Sequence, residues 1–184
     1  ITNGIHTRSW ISRDIVEQIS HLKQEPDWMR QKRLLSYGFF EKKSMPTWGV
    51  DLSGLQFDDI SFFIRPEEKR YQTWEEVPQD IKSVYDKLGI PKYEQTFLAG
   101  LVGQYESEGF YVKLKEQWEK QGVIFTDMDM AVRQYPDVVK EYFMTRCVSI
   151  ADHKFAALHG AVWSGGSFVY VPAGVHVDLP LQTY

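Results

Sequence analysis

The chain has 184 residues, of which 43% are hydrophobic and 25% charged, and its formal net charge is −4. These values fit a globular protein of one domain or slightly more. The negative net charge offers no basic surface that would attract a phosphate backbone, so we do not expect nucleic acid binding. Cys147 is the only cysteine, which excludes an intrachain disulfide framework, and no apolar run approaches the ~20 residues that span a bilayer. We therefore expect a cytoplasmic protein with no membrane association.

The N-terminal stretch carries helix signals. Ser12 is a suitable N-cap for a helix in which apolar residues recur at helical spacing as far as Leu22. Pro26 begins a second predicted helix, because proline is tolerated in the first turn, and this helix runs to Lys42. Residues 45–59 contain Pro, Gly and Asp without a steady period, which predicts an extended loop.

The middle of the chain is also predicted to be largely helical. Capping-box spacing at Thr73–Glu76 precedes a helix predicted for Pro78–Leu88. A weaker helical pattern covers 91–103, where two glycines lower the propensity, and a stronger one covers 110–121. Val123–Phe125 has the composition of a short strand.

Two more helices are predicted before residue 150. Thr126 or Asp127 caps a helix that continues through Val132, and Pro136 begins another that reaches Phe143. Since the helical segments agree with one another, we predict a mainly helical N-terminal domain over residues 1–150.

The C-terminal stretch has the pattern of strands. Apolar and polar residues alternate in Phe168–Val171 and again in Val175–Leu181, with a turn signal at Pro172–Gly174 between them. Two short strands cannot bury their apolar faces alone. We therefore predict that residues 151–184 begin a larger β-structure that continues beyond Tyr184, and that an uncovered strand edge makes the chain a possible homo-oligomer.

The histidines and glycines offer no clear chemistry. His153 and His159 are six residues apart, whereas ligands on one helical face are three or four apart, so structural roles are favoured over a metal site. Gly165–Gly166 lacks the lysine and the glycine spacing of phosphate loops, and a turn explains it.

The remaining candidates are equally weak. Arg146 lies next to Cys147 and would favour a reactive thiolate, but a small half-buried thiol is the preferred interpretation. Glu106 and Glu108 are two apart and would diverge on a helix, so a solvated face is preferred over an acid–base pair. From the residues alone we predict no catalytic residue and no metal ligand, and a cofactor-binding site stays unknown.

Four strings, several of them ten or more residues long, are specific enough to exclude chance similarity. They are SMPTWGVDLSGLQFDDI at Ser44–Ile60, QYESEGFY at Gln104–Tyr111, EKQGVIFTDMDMAVRQYPDVVKEYF at Glu119–Phe143 and KFAALHGAVWSGGSFVYVPAGVHVDLPLQTY at Lys154–Tyr184. In order and content they resemble the SufB/SufD family of the SUF iron–sulfur cluster assembly machinery. The resemblance covers about Ile11 to Tyr184, and the strings QGVIF and YPDVVKEYF favour the SufB branch over the SufD branch.

The resemblance implies an α+β fold in which a mainly helical N-terminal domain is followed by the first strands of a right-handed parallel β-helix. It implies a non-enzymatic scaffold that works with SufD and the ATPase SufC and receives sulfur from a cysteine desulfurase system through sulfur-transfer proteins. The iron–sulfur cluster is expected only in the complete scaffold, and no cofactor is expected in this stretch. Cys147 does not lie in the family's sulfur-receiving motif, so no role is carried over to it.

Two alternatives from other classes stay open. One is a helical protein-interaction module that has no part in cluster assembly. The other is a β-helix enzyme acting on carbohydrate, which would need acidic residues clustered on successive coils. Only Asp178 is available on the predicted strands, so this second alternative is the weaker one.

Overall fold

The computed structural model describes residues 11–57, 60, 62–63, 74–87, 100–105, 108–114 and 116–183. The chain divides into two compact units, each assembled from two separate stretches. Unit 1 comprises Ile1–Ile64 with Val132–Ser164, and unit 2 comprises Arg65–Ala131 with Gly165–Tyr184. The domain division at residue 150 that the sequence suggests stays a prediction. Among the described residues, no helix combines the length and the apolar character needed to cross a membrane.

Unit 1 is helical, and its first two helices begin where the local signals place them. Ser12 caps α1 (Arg13–Leu22) by accepting a hydrogen bond from the Ile15 amide at 3.3 Å. The helix α2 (Asp27–Lys42) follows Pro26. Its remaining helical parts are the end of α5 (Met128–Gln134), α6 (Pro136–Tyr142) and α7 (Lys154–Val162).

Helices α2 and α7 pack closely through small side chains. Ser36 of α2 faces Gly160 of α7, where a Cβ atom would lie 2.5 Å from the Ser36 Oγ atom. Ala157 and Ala161 of α7 are completely buried beside them. The core of unit 1 therefore depends on a short distance between two helix backbones, with larger apolar side chains such as Val16 and Phe40 filling its flanks.

A buried arginine of α2 pairs with Glu25 and also contacts the end of α7. The Arg33 side chain is 0% exposed and its guanidinium lies 2.6 Å from the carboxylate of Glu25, which is 2% exposed. The same guanidinium donates to the carbonyls of Ala161 and Trp163, at 3.0 Å each, and lies over the Trp163 ring. Arg33 thus satisfies carbonyls that the helix end leaves unpaired.

A lysine makes a second connection between the same two helices, at the other end of α7. Lys154, the first residue of α7, donates from Nζ to the carbonyls of Phe40 at 2.7 Å and Lys43 at 2.9 Å. A cation at the C-terminus of α2 also complements the helix dipole. Because Arg33 contacts one end of α7 and Lys154 the other, the two helices run antiparallel.

Unit 2 combines short helices with two small sheets. Strands β1 (Gly100–Tyr105) and β2 (Glu108–Leu114) are antiparallel, and β5 (Leu181–Thr183) pairs in parallel with β1. Strand β3 (Ile124–Asp127) pairs antiparallel with β4 (Ser167–Tyr170). The helices are α3 (Gln79–Lys87), α4 (Glu116–Glu119) and the start of α5, where the Asp127 carboxylate accepts from the Met130 amide at 2.9 Å.

The fold is thus mainly helical α+β, and most of the predicted elements are present. The short strand at Val123–Phe125 is confirmed as β3, and the helices predicted from Asp127 and Pro136 are confirmed as α5 and α6. The helix predicted for Pro78–Leu88 is confirmed as α3 up to Lys87, whereas Thr73 lies outside the described residues. Among the described strands, parallel pairing is confined to β1 and β5, and the coils of a parallel β-helix are not represented.

The predicted helix over 110–121 is wrong. Its first part is the strand β2, and only the four residues of α4 are helical. The predicted helix over 91–103 is wrong at Gly100–Gly103, which belongs to β1, and 91–99 lies outside the described residues. Pairing between β1 and β2 explains both errors, because the hydrogen bonds of a strand ladder outweigh the helical propensity of either segment.

The predicted strand Val175–Leu181 is wrong except at its last residue, where β5 begins. Its alternation nevertheless identified one face correctly, since every second residue from Val175 to Leu181 is half-buried. These side chains pack against Trp118 and Val123 within unit 2. The apolar stripe is therefore packed against the chain's own residues, and His176, between two members of the stripe, is exposed.

Candidate functional site

The two histidines considered as metal ligands lie on different turns of the chain around α7. His153 is the N-cap of this helix, and its Nδ1 atom accepts a hydrogen bond from the Ala156 amide at 3.2 Å. His159 lies in the last turn, where burial lowers its pKa and the nearby charge of Arg33 lowers it further. Within the described ranges, no group of three or more His, Cys, Asp or Glu side chains is arranged to hold a metal ion.

Cys147 is exposed, which corrects the expectation of a half-buried thiol. It lies in the turn after α6, where Met144 has a left-handed backbone with φ of 54°. The guanidinium of Arg146 lies over the Tyr142 ring at 5.9 Å. Of the proposed acidic pair, Glu106 lies outside the described residues and Glu108 is the first residue of β2.

An exposed tryptophan marks one surface of unit 1. Trp48 is 64% exposed and Val50 is 79% exposed, and together they define what we term the Trp48 surface. The Trp48 ring meets the His153 imidazole edge-on, with 5.4 Å between ring centroids. Tryptophan is among the residues that contribute most to protein interfaces. A large indole held in place but left in solvent is therefore a candidate contact point for a partner.

The loop that carries Trp48 is attached to the helical core by a second aromatic residue. Phe57 packs against Phe40 with 5.3 Å between ring centroids, and against Phe155 at 6.3 Å. Between the two aromatic contacts, Gly49 adopts φ of 89°, a left-handed conformation that favours glycine. Sequence reasoning assigned this stretch to a loop but missed the surface. The only signal was a tryptophan in a segment with no apolar period.

A strand edge marks a surface of unit 2. Strand β4 is hydrogen-bonded to β3, and no other described strand pairs with it. Val169, Tyr170 and Val171 keep 48%, 38% and 40% of their surface exposed. We term these three residues the β4 surface. An apolar strand edge of this kind is a template for pairing with another strand.

Comparison with known proteins shows which family the chain is similar to. The family model described as "SufBD protein N-terminal region" matches residues 22–183. An iron–sulfur cluster assembly SufBD family protein of Mycobacterium tuberculosis strain H37Rv is 50% identical over 182 residues, which is 98% of this chain and 21% of the relative. A protein of the same description from Staphylococcus haemolyticus is 50% identical over 174 residues, covering 95% of this chain and 37% of the relative.

A third relative has a more specific name. The iron–sulfur cluster assembly protein SufB of Bacillus subtilis is 48% identical over 174 residues, covering 95% of this chain and 37% of the relative. The chain therefore spans only about a fifth to two fifths of the length of these curated relatives. Their similarity extends over nearly all of both compact units.

Proposed function

Because the chain belongs to the SufBD family, we propose that it is the N-terminal portion of a SufB-like scaffold in iron–sulfur cluster assembly. The observation that carries the proposal is the match to the family's N-terminal region over residues 22–183. The 48% identity to a protein named SufB supports the SufB branch over a SufD-like subunit. The resemblance of the SufB-type strings at Glu119–Phe143 points the same way.

The proposed role of this portion is to position the cluster-building core of the scaffold and to contact partner proteins. The proposed role is not enzymatic. Its support is that the notable features of the described chain are the Trp48 surface and the β4 surface, both suited to protein contacts. The proposed partners are SufD, the ATPase SufC and the proteins that deliver sulfur from a cysteine desulfurase. A single exposed thiol does not supply the several ligands that a cluster takes. We therefore propose that the cluster ligands lie outside this stretch. We also propose that the protein works in the cytoplasm.

The proposed complete fold continues from β4 into a right-handed parallel β-helix. The support is that β4 offers an apolar, uncovered edge, and that β5 already pairs in parallel with β1. A longer chain that includes downstream sequence should bury Val169 and Val171. Hydrogen exchange at the β4 amides would measure this, and equal exchange in the short and long chains would contradict it.

A chimera provides the test of function. Residues 1–184 replace the corresponding stretch of Bacillus subtilis SufB, and the chimera is purified with its SufC and SufD partners. We expect it to retain the complex and to bind iron and sulfide at the parent's stoichiometry after anaerobic reconstitution. A folded chimera that fails to assemble with the partners, or assembles without building a cluster, would refute the proposal.

The alternative of a plain interaction module is separated by the same chimera. Circular dichroism and size-exclusion chromatography first establish that the chimera is folded. Replacing Trp48 by alanine in the chimera then removes one candidate contact, with Leu35→Ala as a control that changes another exposed apolar residue of unit 1. Loss of a partner without loss of cluster formation would favour a module that only binds proteins.

A further inference from the structure

The helix α7 has an unusual N-cap. Caps are ordinarily Ser, Thr, Asp or Asn, whose oxygen atoms accept hydrogen bonds at any neutral or mildly acidic pH. Here the acceptor is the Nδ1 atom of His153, which takes the Ala156 amide at 3.2 Å while the His153 backbone is extended, with φ of −139°. An imidazole nitrogen accepts a hydrogen bond only while it carries no proton. The cap therefore depends on the charge state of His153.

The same imidazole supports the Trp48 surface. The Trp48 ring meets it edge-on at 5.4 Å between centroids, and Phe155 contacts it from the helix side at 6.4 Å. His153 is only half-buried, so a proton from solvent has access to the ring. One side chain thus connects the first turn of α7 with an exposed tryptophan.

The charged groups around His153 leave it without a compensating partner among the described residues. Asp152 and Lys154 flank it in sequence, and the Lys154 ammonium is engaged by the carbonyls of Phe40 and Lys43. From the Trp48 loop, Asp51 accepts from the Ser53 amide, and Lys43 is the cap residue at the end of α2. In the described part of the chain no carboxylate forms an ion pair with His153.

We propose that His153 is an acid-sensitive latch that holds both the first turn of α7 and the Trp48 surface. Protonation converts Nδ1 from an acceptor into a donor, which turns its proton toward the Ala156 amide and places a positive charge at the positive end of a helix dipole. The stabilisation is present when the imidazole is neutral and is lost when the imidazole is protonated.

Hydrogen exchange at single amides tests the latch. Protection of the Ala156 amide is measured by NMR in the full chain at pH 7.5 and pH 5.0, after correction for the intrinsic rate. Loss of a side-chain cap shifts the opening equilibrium by about fivefold, and we expect that loss of protection in acid. The Ile15 amide, capped by the hydroxyl of Ser12, is the internal control and should keep its protection.

Two variants make the result specific. His153→Asn retains a cap that does not titrate in this range, so protection of Ala156 should become independent of pH. His153→Ala should lower the protection at both pH values. In the unsubstituted chain, the Trp48 indole N–H resonance should shift with the same midpoint as the His153 ring protons, and in His153→Asn it should not.

The latch would be refuted by equal Ala156 protection at both pH values in the unsubstituted chain. An unchanged pH response in His153→Asn would also refute it, since another group would then be responsible. If Trp48 shows no shift while Ala156 loses protection, the proposed connection between the helix cap and the exposed surface is wrong.

Discussion

Replacing Gly160 by alanine tests whether the short distance between α2 and α7 holds unit 1 together. The new Cβ atom would lie 2.5 Å from Ser36 Oγ, 2.7 Å from Ile150 Cγ2 and 2.9 Å from Ser36 Cβ. All three distances are too short for carbon, and the Ser36 Cβ atom is attached directly to the backbone of α2. Relief therefore requires the helices to move apart.

The expected cost follows from two opposing contributions. Overpacking a close-packed core costs about 1–3 kcal/mol, and three contacts below 3.0 Å place Gly160→Ala in the upper half of that range. Alanine is a better helix former than glycine by about 1 kcal/mol, which offsets part of the cost. We expect a net loss of about 1–2 kcal/mol in the free energy of unfolding.

Gly38→Ala is the matched control, because Gly38 lies in the interior of α2 with nothing within 4 Å of the new Cβ position. This substitution should stabilise unit 1 by about 0.5–1 kcal/mol, from helix propensity and reduced freedom of the unfolded chain. The measurement is urea denaturation followed by circular dichroism, with hydrogen exchange in α2 and α7 to assign the change to unit 1.

The order of the two variants decides the outcome. If Gly160→Ala is as stable as Gly38→Ala, the helices are not in the close contact described above. A Ser36→Gly substitution combined with Gly160→Ala should recover part of the loss, because it removes two of the three clashing atoms.

Four further predictions concern other features. Arg33→Met should lower the free energy of unfolding by about 3–5 kcal/mol, because it leaves Glu25 buried without its partner. Arg30→Met is the control: it breaks an exposed pair with Asp27 and should change the urea denaturation midpoint little. Val169→Lys should reduce any self-association measured by analytical ultracentrifugation, because a charge on the β4 surface opposes strand pairing. Unchanged association would show that the β4 surface is not the site of self-association. Burial, with a contribution from Glu41, raises the pKa of Tyr37 from 10.0 to about 12. The free energy of unfolding that this shift contributes is present below pH 10 and should be lost between pH 10 and 12. In Tyr37→Phe, this part of the pH dependence of stability should disappear. Anaerobic reconstitution of the chain without downstream sequence should yield no stoichiometric cluster by visible absorption and iron counting, because Cys147 is its only thiol.

Local signals predicted the helices well because capping chemistry acts over a few residues. Ser12, Asp127 and Pro136 each mark the start of a helix in the structure, and each does so through its own backbone geometry or side-chain oxygen. The strand β2 was missed because its partner β1 supplies the hydrogen bonds, and no residue within β2 reports that partner. Strand pairing is a property of two segments together, even here, where only two residues separate β1 from β2.

Features that depend on contacts between distant parts of the chain were harder to predict. Nothing local distinguishes Arg33 from the exposed Arg30, although Arg33 is completely buried and bonded to the end of α7. Trp48 lies in a loop that has no apolar period, so the sequence does not report that its side chain is exposed. Alternation in Val175–Leu181 predicted which side chains share a face but not that Trp118 would cover them.

The interleaved arrangement of unit 1 has a consequence for its synthesis. Helix α2 is complete at Lys42, but α7, which packs on its buried face, ends at Val162, about 120 residues later. At about 5–20 residues per second on the ribosome, this delay is on the order of 6–24 s. During that time Phe40 has no α7 to pack against. The nascent chain therefore leaves Phe40, Arg33 and Ser36 of α2 without their α7 partners for that interval, and unit 1 cannot close until α7 is made.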